Sequence, residues 1–396
     1  MKQNPSRREF LSVGLSLPVA AVAPTLGFGK ATAPSSPAPL VTSTPKLTYF
    51  TLGKTGLKVM RVGLGAGASA VAVIERAADI GINYFDTARV YANGNHERMV
   101  GVGLKKRRTD VILASKSPAP TKEGALSDLE ASLRALGTEY LDIWFLHCKS
   151  KVSEVPDELL EAQQIAKKQG KIRFAGVSTH QPKVLIPFLI QKGATDVVLL
   201  TYNFTMKTNI DAVIAQAGQA GLGVVAMKAM AGGFAVLPPE VTYVQPGNPR
   251  ISKLKTEGAM LAMLKWVLKN PNVNTTIVGT GDMDQLEENV KAMAEPYAEA
   301  DERLLAQRLE HIGPLYCRMC GACEGACAKG LPVADMLRYL TYADGYGECS
   351  RAREHFLALP AEVTSVRCTD CASCTVTCPF GVRVSSRLTR AQELFG

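Results

Sequence analysis

The sequence predicts an α/β chain: a (β/α)8 barrel of the TIM type with an N-terminal β-hairpin, followed by a small, mostly α-helical domain. The barrel is indicated by eight short apolar runs that alternate with amphipathic segments at regular intervals. The hairpin is indicated by the turn Leu52-Gly-Lys-Thr-Gly-Leu57, which has alternating apolar residues on both sides. The second domain is indicated by two dense cysteine runs near the C-terminus.

The predicted barrel strands are Arg61–Leu64, Asn83–Phe85, Val111–Ala114, Leu141–Leu146, Ile172–Val177, Asp196–Leu200, Gly223–Ala226 and Thr275–Val278. The segments between them have the periodicity of helices, as in Ala125–Leu136, Asp157–Lys168 and Gly258–Leu268. Because a barrel of this kind carries its chemistry at the carboxyl ends of the strands, candidate catalytic residues are expected there.

Ionisable side chains follow three consecutive predicted strands. Asp86 and Tyr91 come after the second strand, Lys116 ends the third, and His147 ends the fourth. Tyrosine, with an ordinary pKa of about 10, is a weak acid at neutral pH, but a neighbouring lysine lowers that pKa and a carboxylate fixes the lysine. We therefore predict that Tyr91 delivers a proton to a carbonyl oxygen whose carbon receives hydride, with His147 guiding the substrate.

With the hairpin, these four residues resemble the Asp/Tyr/Lys/His tetrad of the aldo-keto reductase superfamily, over about residues 47–295. The segment Gly176–His180 resembles the family's nicotinamide-amide site, and Ile277–Asn289 resembles its phosphate and adenine site, where a helix N-terminus suits an anion. The resemblance implies an NAD(P)-dependent enzyme that interconverts a carbonyl and an alcohol, with NADP(H) favoured over NAD(H). The cofactor contacts that it implies are Ser178, Thr179, Met227, Lys228, Gly279, Gln285, Glu288 and Asn289.

Some positions depart from the family pattern. Thr179 replaces the usual Asn, Leu199 replaces a Gln that holds the carboxamide, and Met227 replaces the aromatic residue that stacks on the nicotinamide. Gln285 stands where an Arg is common, and Lys228 is a candidate phosphate contact.

The two cysteine runs share the spacing C-x2-C-x2-C-x3-C, in which three thiolates bind one [4Fe–4S] cluster and the fourth binds its neighbour. We therefore assign one cluster to Cys317, Cys320, Cys323 and Cys378, and the other to Cys327, Cys368, Cys371 and Cys374. Structural zinc and disulfide bonds are alternatives, but neither explains the repeated spacing. The arrangement resembles aldo-keto reductases fused to a C-terminal ferredoxin-like domain.

The N-terminus, Ser6-Arg7-Arg8-Glu9-Phe10-Leu11, resembles a twin-arginine export signal, and the apolar stretch behind it is too interrupted for a stable membrane span. We predict a signal peptide at residues 1–31, a flexible linker at 32–45, the barrel at 46–298 and the iron–sulfur domain at 299–396. The twin-arginine export machinery is then a partner, and the folded protein is expected in the periplasm.

The formal charge of the 396-residue chain is +9, too modest and scattered to indicate nucleic-acid binding. The leading hypothesis is an exported carbonyl or alcohol oxidoreductase whose clusters are structural or transfer electrons, with a small-molecule substrate and a redox protein as a candidate partner. The alternatives are an electron-transfer or docking protein that uses the barrel as a scaffold, and a binding subunit with degenerate nucleotide affinity. His311 and His355 are expected at the surface, and Cys148 as a buried, inert thiol.

Overall fold

Eight parallel strands form a closed barrel in the computed structural model, which describes residues 47–66, 70–206, 210–233 and 258–396. The described residues belong to one compact unit, Pro45–Gly396. The signal peptide and linker predicted for residues 1–45 lie outside the described part of the chain.

An antiparallel hairpin precedes the barrel, whose strands follow one another in chain order until β10 pairs with β3. The hairpin strands are β1 (Tyr49–Thr51) and β2 (Lys58–Met60). The barrel strands are β3 (Val62–Leu64), β4 (Tyr84–Asp86), β5 (Ile112–Ser117), β6 (Leu141–Lys149), β7 (Ile172–Thr179), β8 (Val197–Thr201), β9 (Gly223–Met227) and β10 (Thr275–Val278). The predicted hairpin and all eight predicted strands are therefore confirmed.

Helices surround the barrel and continue beyond it. Those associated with the barrel are α1 (Val71–Asp79), α2 (Asn95–Leu104), α3 (Lys122–Leu136), α4 (Asp157–Lys168), α5 (Pro182–Lys192), α6 (Asp211–Gln219), α7 (Ala259–Leu268), α8 (Met283–Lys291) and α9 (Glu299–Ile312). Those that follow are α10 (Val333–Asp344), α11 (Cys349–Leu357), α12 (Ala361–Thr364) and α13 (Val384–Phe395). No helix in the described ranges has the length and apolar character needed to span a membrane.

The hairpin closes the end of the barrel at which the strands begin. Leu52, in the hairpin turn, is fully buried and joins Tyr84 and Phe145 in the core inside the barrel. The Lys54 N–H donates to the Gly221 carbonyl, just before β9, at 2.9 Å. The opposite end of the barrel, where the strands finish, is the end at which barrels of this kind bind their ligands.

The chain after α9 has a hydrophobic core of its own. Helix α9 packs on the barrel through Leu305 and Ile312, whereas a separate core begins at Cys317 and runs to Phe395. We call residues 313–396 the C-terminal module. Its described secondary structure is helical, as the sequence predicts.

Candidate active site

Tyr91 begins a tight turn, Tyr91–Gly94, just beyond strand β4. The three residues after Tyr91 have φ angles of 48°, 53° and 81°, a conformation that is costly for residues other than glycine. Arg89 forms an ion pair with Glu97, which is fully buried and accepts a hydrogen bond from Ser115 Oγ at 2.6 Å. These contacts fasten the strained turn to strand β5 and so fix the position of Tyr91.

Lys116 and Asp86 form a buried ion pair beside Tyr91. The side chains of Lys116 and Asp86 are 1% and 0% exposed, and Lys116 Nζ also donates to the Thr87 carbonyl at 2.7 Å. The same Nζ lies 4.9 Å from the centre of the Tyr91 ring. Burial alone would lower the pKa of Lys116, but Asp86 and Tyr91 raise it above its ordinary value. The lysine is therefore a cation directed at Tyr91.

His147 completes the group that the sequence predicts. Its ring meets the Tyr91 ring edge-on, with 5.8 Å between the centroids. Burial, reinforced by the nearby cations Lys116 and Arg351, holds the pKa of His147 well below its usual value. A neutral imidazole can orient a carbonyl oxygen by hydrogen bonding without adding charge to the site.

A cavity of about 370 Å³ opens beside the tetrad, with Asp86 and Tyr91 in its wall. Four of the predicted nucleotide contacts also line it, namely Met227, Lys228, Gly279 and Gln285. The structure thus brings half of the predicted cofactor residues together with the predicted proton donor.

The other four predicted nucleotide contacts do not line the cavity as described, and three of them are engaged elsewhere. Ser178 Oγ accepts a hydrogen bond from the Cys148 N–H at 2.7 Å, and Thr179 is fully buried and accepts one from the backbone two residues on. Asn289 is buried on α8, where its amide donates to a threonine hydroxyl, and Glu288 lies on the same helix. None of the four is among the residues described as lining the cavity.

The start of helix α8 is capped by an acidic residue. Asp282 Oδ1 accepts a hydrogen bond from the Gln285 N–H at 2.8 Å, and the Gln285 amide accepts one from the Gly281 N–H at 2.9 Å. The helix N-terminus favours an anion, whereas the Asp282 carboxylate opposes a second one close by. The structure therefore contains both an attractive and a repulsive contribution at the predicted phosphate site.

The C-terminal module forms part of the cavity wall. Tyr346, Glu348 and Arg351 line the cavity from the module side, and the Arg351 guanidinium lies 5.1 Å from the centre of the Tyr91 ring. Arg351 also pairs with Glu348 at 2.8 Å. The predicted catalytic tyrosine is thus covered by residues more than 250 positions later in the chain.

Three cations surround one tyrosine of the module. Lys228, Arg338 and Arg351 lie 4.5, 6.0 and 4.5 Å from the centre of the Tyr342 ring. Burial alone would raise the pKa of Tyr342, but these three cations lower it below its ordinary value. The barrel and the module therefore meet across a strongly positive contact.

Cys148 differs from the buried, inert thiol that the sequence predicts. It is partly exposed, and its Sγ lies 3.4 Å from His180 Nδ1 and 3.7 Å from an Arg338 nitrogen. Its backbone has a φ of 56° at a β-bulge near the end of β6. The prediction for Cys148 is wrong because the module supplies polar partners that local sequence does not reveal.

Cysteines of the two runs lie close enough to influence one another's pKa. Burial, reinforced by Cys323, Cys320 and Cys378, raises the pKa of Cys317 to about 12. Burial likewise raises the pKa of Cys368 to about 11, reinforced by Cys327, Cys374 and Cys371. The second set also lines a cavity of about 140 Å³.

In the described part of the chain, the cysteine runs contain neither a disulfide bond nor a preformed site for a metal ion. All ten cysteines lie in described ranges and are free of disulfide bonds. No three Cys, His, Asp or Glu residues in the described part of the chain are arranged to hold one metal ion. Because uncompensated thiolates repel one another, a cationic group among them would stabilise each set.

Comparison with known proteins identifies the barrel. The model of the aldo/keto reductase family matches residues 63–307. The chain belongs to the aldo/keto reductase family. L-galactose dehydrogenase of Arabidopsis thaliana is 31% identical over 289 residues, which cover 63% of this chain and 89% of that protein. L-glyceraldehyde 3-phosphate reductase of Escherichia coli O157:H7 is 25% identical, with 67% and 93% covered.

A solved aldo-keto reductase from Bacillus halodurans, in its holo form, superimposes with a TM-score of 0.56 and 26% identity, covering 66% of this chain and 96% of that one. This aldo/keto reductase is therefore an NAD(P)-dependent oxidoreductase of carbonyls and alcohols. The family match ends before the cysteine runs, so it does not extend to them.

Sequence reasoning missed the residues that the module brings to the aldo/keto reductase barrel. Arg351 and Tyr342 carry no local motif, although Arg338 and Tyr342 share one face of α10 at a spacing of four residues. His355 was expected at the surface, but it is half-buried and stacks on Tyr339 with 5.2 Å between ring centroids. That prediction is therefore wrong, whereas His311 is exposed as expected.

Proposed function

We propose that this chain interconverts a carbonyl compound and its alcohol by hydride transfer, with Tyr91 as the general acid or base. The observation that carries the proposal is the shared cavity. Tyr91 and Asp86 line it together with Met227 and Gly279, two residues implied in nucleotide binding. A proton donor and a nucleotide in one cavity are what a carbonyl reduction requires.

The chain's own residues have distinct parts in this reaction. The nicotinamide nucleotide, when bound, supplies or accepts the hydride. Tyr91 donates its hydroxyl proton to the carbonyl oxygen, and the Lys116 cation stabilises the phenolate that remains. Asp86 holds Lys116 in place, and neutral His147 orients the carbonyl oxygen by a hydrogen bond. General acid catalysis of this kind contributes roughly 10²- to 10⁴-fold.

The proposed nucleotide is NADP(H), on family grounds, with Lys228 available as a cation. Asp282 at the start of α8 opposes the additional phosphate of NADP(H), so the ratio of affinities for NADP(H) and NAD(H) tests this choice. Because free nucleotide is scarce outside the cytoplasm, the proposal includes loading before export and recycling by a second substrate that is oxidised in turn. Nucleotide retained through gel filtration supports that cycle, and its rapid loss contradicts it.

The test of the catalytic assignment compares two tyrosine-to-phenylalanine variants. Tyr91→Phe should lower aldehyde reduction by 10²-fold or more while leaving nucleotide binding intact. Tyr84→Phe is the matched control, because the buried Tyr84 hydroxyl has no hydrogen-bond partner among the described residues. Equal turnover by Tyr91→Phe and wild type would refute the assignment.

We also propose two [4Fe–4S] clusters, held by the two cysteine sets. The support is the spacing in the sequence, the grouping of each set and the small cavity that Cys327, Cys368, Cys371 and Cys374 line. Cys378→Ser should reduce iron from about eight to about four atoms per chain after anaerobic purification. Cys349→Ser is the control, because Cys349 is exposed and outside both sets. Equal iron loss in both variants would contradict the assignment.

A second candidate function is electron transfer to a redox protein partner, with the barrel as a scaffold. It is favoured by the exposure of Cys374, which puts one set near the protein surface. Tyr91→Phe separates the two functions, because it should spare reduction of the clusters by a chemical donor such as dithionite.

The proposed location is the periplasm, reached by the twin-arginine route. The Ser6–Leu11 motif supports it. Replacing Arg7 and Arg8 by lysine should leave the protein in the cytoplasmic fraction with its iron content unchanged. Periplasmic recovery of that variant would refute the route.

A further inference from the structure

The cavity beside Tyr91 has more positive charge than its own residues can pair. We propose that Lys228 and Arg351 bind an oxyanion, a carboxylate or a phosphate, carried by the substrate beside its reacting carbonyl group. This inference rests on the proposed carbonyl–alcohol reaction and specifies its substrate class. The site is built across two parts of the fold: Lys228 follows barrel strand β9, and Arg351 lies on module helix α11.

Among the described residues that line the cavity, Lys228 has no counter-ion. The two carboxylates in that described set already have cations: Asp86 pairs with Lys116, and Glu348 pairs with Arg351 at 2.8 Å. Lys228 Nζ forms no ion pair with another described residue and instead lies over aromatic faces, 4.5 Å from Tyr342. A partly buried ammonium without a carboxylate is poorly compensated, so an anionic ligand would stabilise it.

Several neighbouring groups add to the positive potential. Arg338 lies behind Tyr342 and pairs with exposed Asp335. Burial, with Arg351 and Arg338 close by, lowers the pKa of Lys228 from its ordinary value, although Tyr342 opposes this effect. The neighbouring histidine side chains carry no negative charge, so they are not counter-ions for Lys228. The region therefore repels additional cations and attracts an anion.

The backbone around Arg351 and Lys228 also favours an anionic ligand. Arg351 lies in the first turn of α11, and Glu348 is the N-cap residue, whose side chain makes no capping hydrogen bond. The first N–H groups of a helix lack intrahelical partners, and they favour a negative group. Lys228 is held in a left-handed conformation, with φ of 59°, while its carbonyl accepts a hydrogen bond from the Asn203 amide at 3.1 Å. The ammonium is thus presented from a fixed backbone rather than from a free loop end.

The position of Arg351 relates the anion to the reacting carbonyl. Its guanidinium lies 5.1 Å from the Tyr91 ring, so an oxyanion on Arg351 and a carbonyl on the Tyr91 hydroxyl belong to one small molecule. Binding energy from the anionic end then positions the carbonyl for proton transfer. Neutral aldehydes of the same shape lack that contribution.

The test uses three aldehydes of similar shape: 4-formylbenzoate, 4-formylphenyl phosphate and the neutral 4-formylbenzamide. Wild-type holoprotein should show a lower KM for one or both anions than for the amide. Assayed at saturating nucleotide, Lys228→Met and Arg351→Met should each raise the ratio of the KM for the preferred anion to the KM for the amide by roughly 10- to 100-fold. Lys106→Met, an exposed lysine elsewhere, removes the same charge as a control and should change neither KM. Preference between benzoate and phosphate distinguishes the two oxyanions.

The outcomes separate this inference from the proposed function. If Lys228→Met instead weakens nucleotide binding and leaves the anion preference intact, the lysine serves the cofactor and the inference is overturned. Equal KM values for the three aldehydes in wild type overturn it as well. If no aldehyde is turned over, the proposed reaction is in doubt, and calorimetric binding tests the oxyanion site by itself. Tighter binding of an anion than of the amide, with the difference lost in both variants, supports the oxyanion site. Equal binding of the three aldehydes refutes it.

Discussion

The buried pair of Lys116 and Asp86 gives a sharp prediction about stability. In Asp86→Asn the lysine keeps no carboxylate partner: the Thr87 carbonyl, at 2.7 Å, and the Tyr91 hydroxyl are neutral, and the lysine side chain is 1% exposed. Removing one member of a buried ion pair leaves an uncompensated charge, which costs about 3–5 kcal/mol. With an unfolding entropy of about 2.1 cal/mol/K per residue, a loss of this free energy should lower the Tm of the compact unit Pro45–Gly396 by about 4–7 °C.

The double variant decides whether that cost comes from the pair itself. Adding Lys116→Met to Asp86→Asn removes the stranded cation and should recover part of the lost stability. The coupling between the two substitutions, from thermal and urea unfolding of the holoprotein, should exceed about 1 kcal/mol. Because both residues belong to the predicted active site, activity is low in all three variants and stability is the readout.

An exposed pair provides the comparison. Lys122 and Glu161 lie 3.1 Å apart with side chains 30% and 57% exposed, and Glu161→Gln should cost less than about 1 kcal/mol. If Asp86→Asn costs no more than Glu161→Gln, or if Asp86→Asn and Lys116→Met add within about 0.5 kcal/mol, the electrostatic reasoning for the buried pair is wrong.

Three further predictions concern other parts of the molecule. Burial, with help from Lys116, lowers the pKa of His96 to about 4, so the folded state binds this proton less readily than the unfolded chain. Protonation of His96 therefore has no effect on stability above about pH 6.5, and below that pH it lowers the free energy of unfolding by up to about 1.4 kcal/mol per pH unit; His96→Asn should flatten the urea-unfolding profile between pH 6.5 and 5, and exposed His311→Asn should not. Gly176→Ala would bring a Cβ to 2.4 Å from the Phe145 ring, and urea unfolding should show a loss of about 1–3 kcal/mol; unchanged stability would mean that the ring has room to move. Gln285→Arg adds a cation at the start of α8 and should raise the NADP(H)/NAD(H) affinity ratio roughly tenfold in fluorescence titrations, whereas an unchanged ratio would locate the phosphate elsewhere.

The barrel and the tetrad could be predicted because their signals are local. Each strand is a short apolar run, and Asp86, Lys116 and His147 lie at strand ends, which the barrel topology gathers at one mouth. The assignment of the cysteine runs to clusters rests on their regular spacing and stays a prediction. For the barrel and the tetrad, the pattern within a few residues is enough to place the side chains.

The rest of the site depends on how the module docks, which leaves no local pattern. Arg351 is on a short amphipathic helix, and its local sequence predicts an ordinary surface arginine. In the structure it lies beside Tyr91. The half-buried position of His355 arises from packing within the module, against Tyr339. Docking of the module also brings Arg338 to Cys148, 190 residues away in sequence, so only the tertiary structure reveals this contact.

The exchange of the fourth cysteine between the two runs has a consequence for biosynthesis. Under the proposed cluster assignment, Cys378 completes the set that begins at Cys317, and Cys327 completes the set that begins at Cys368. Neither set can be finished while the ribosome has made only the first run, because each needs thiols from both. Loading of either cluster must therefore wait until nearly the whole chain has been synthesised, and a chain truncated before residue 378 would lack a complete set for the Cys317 site.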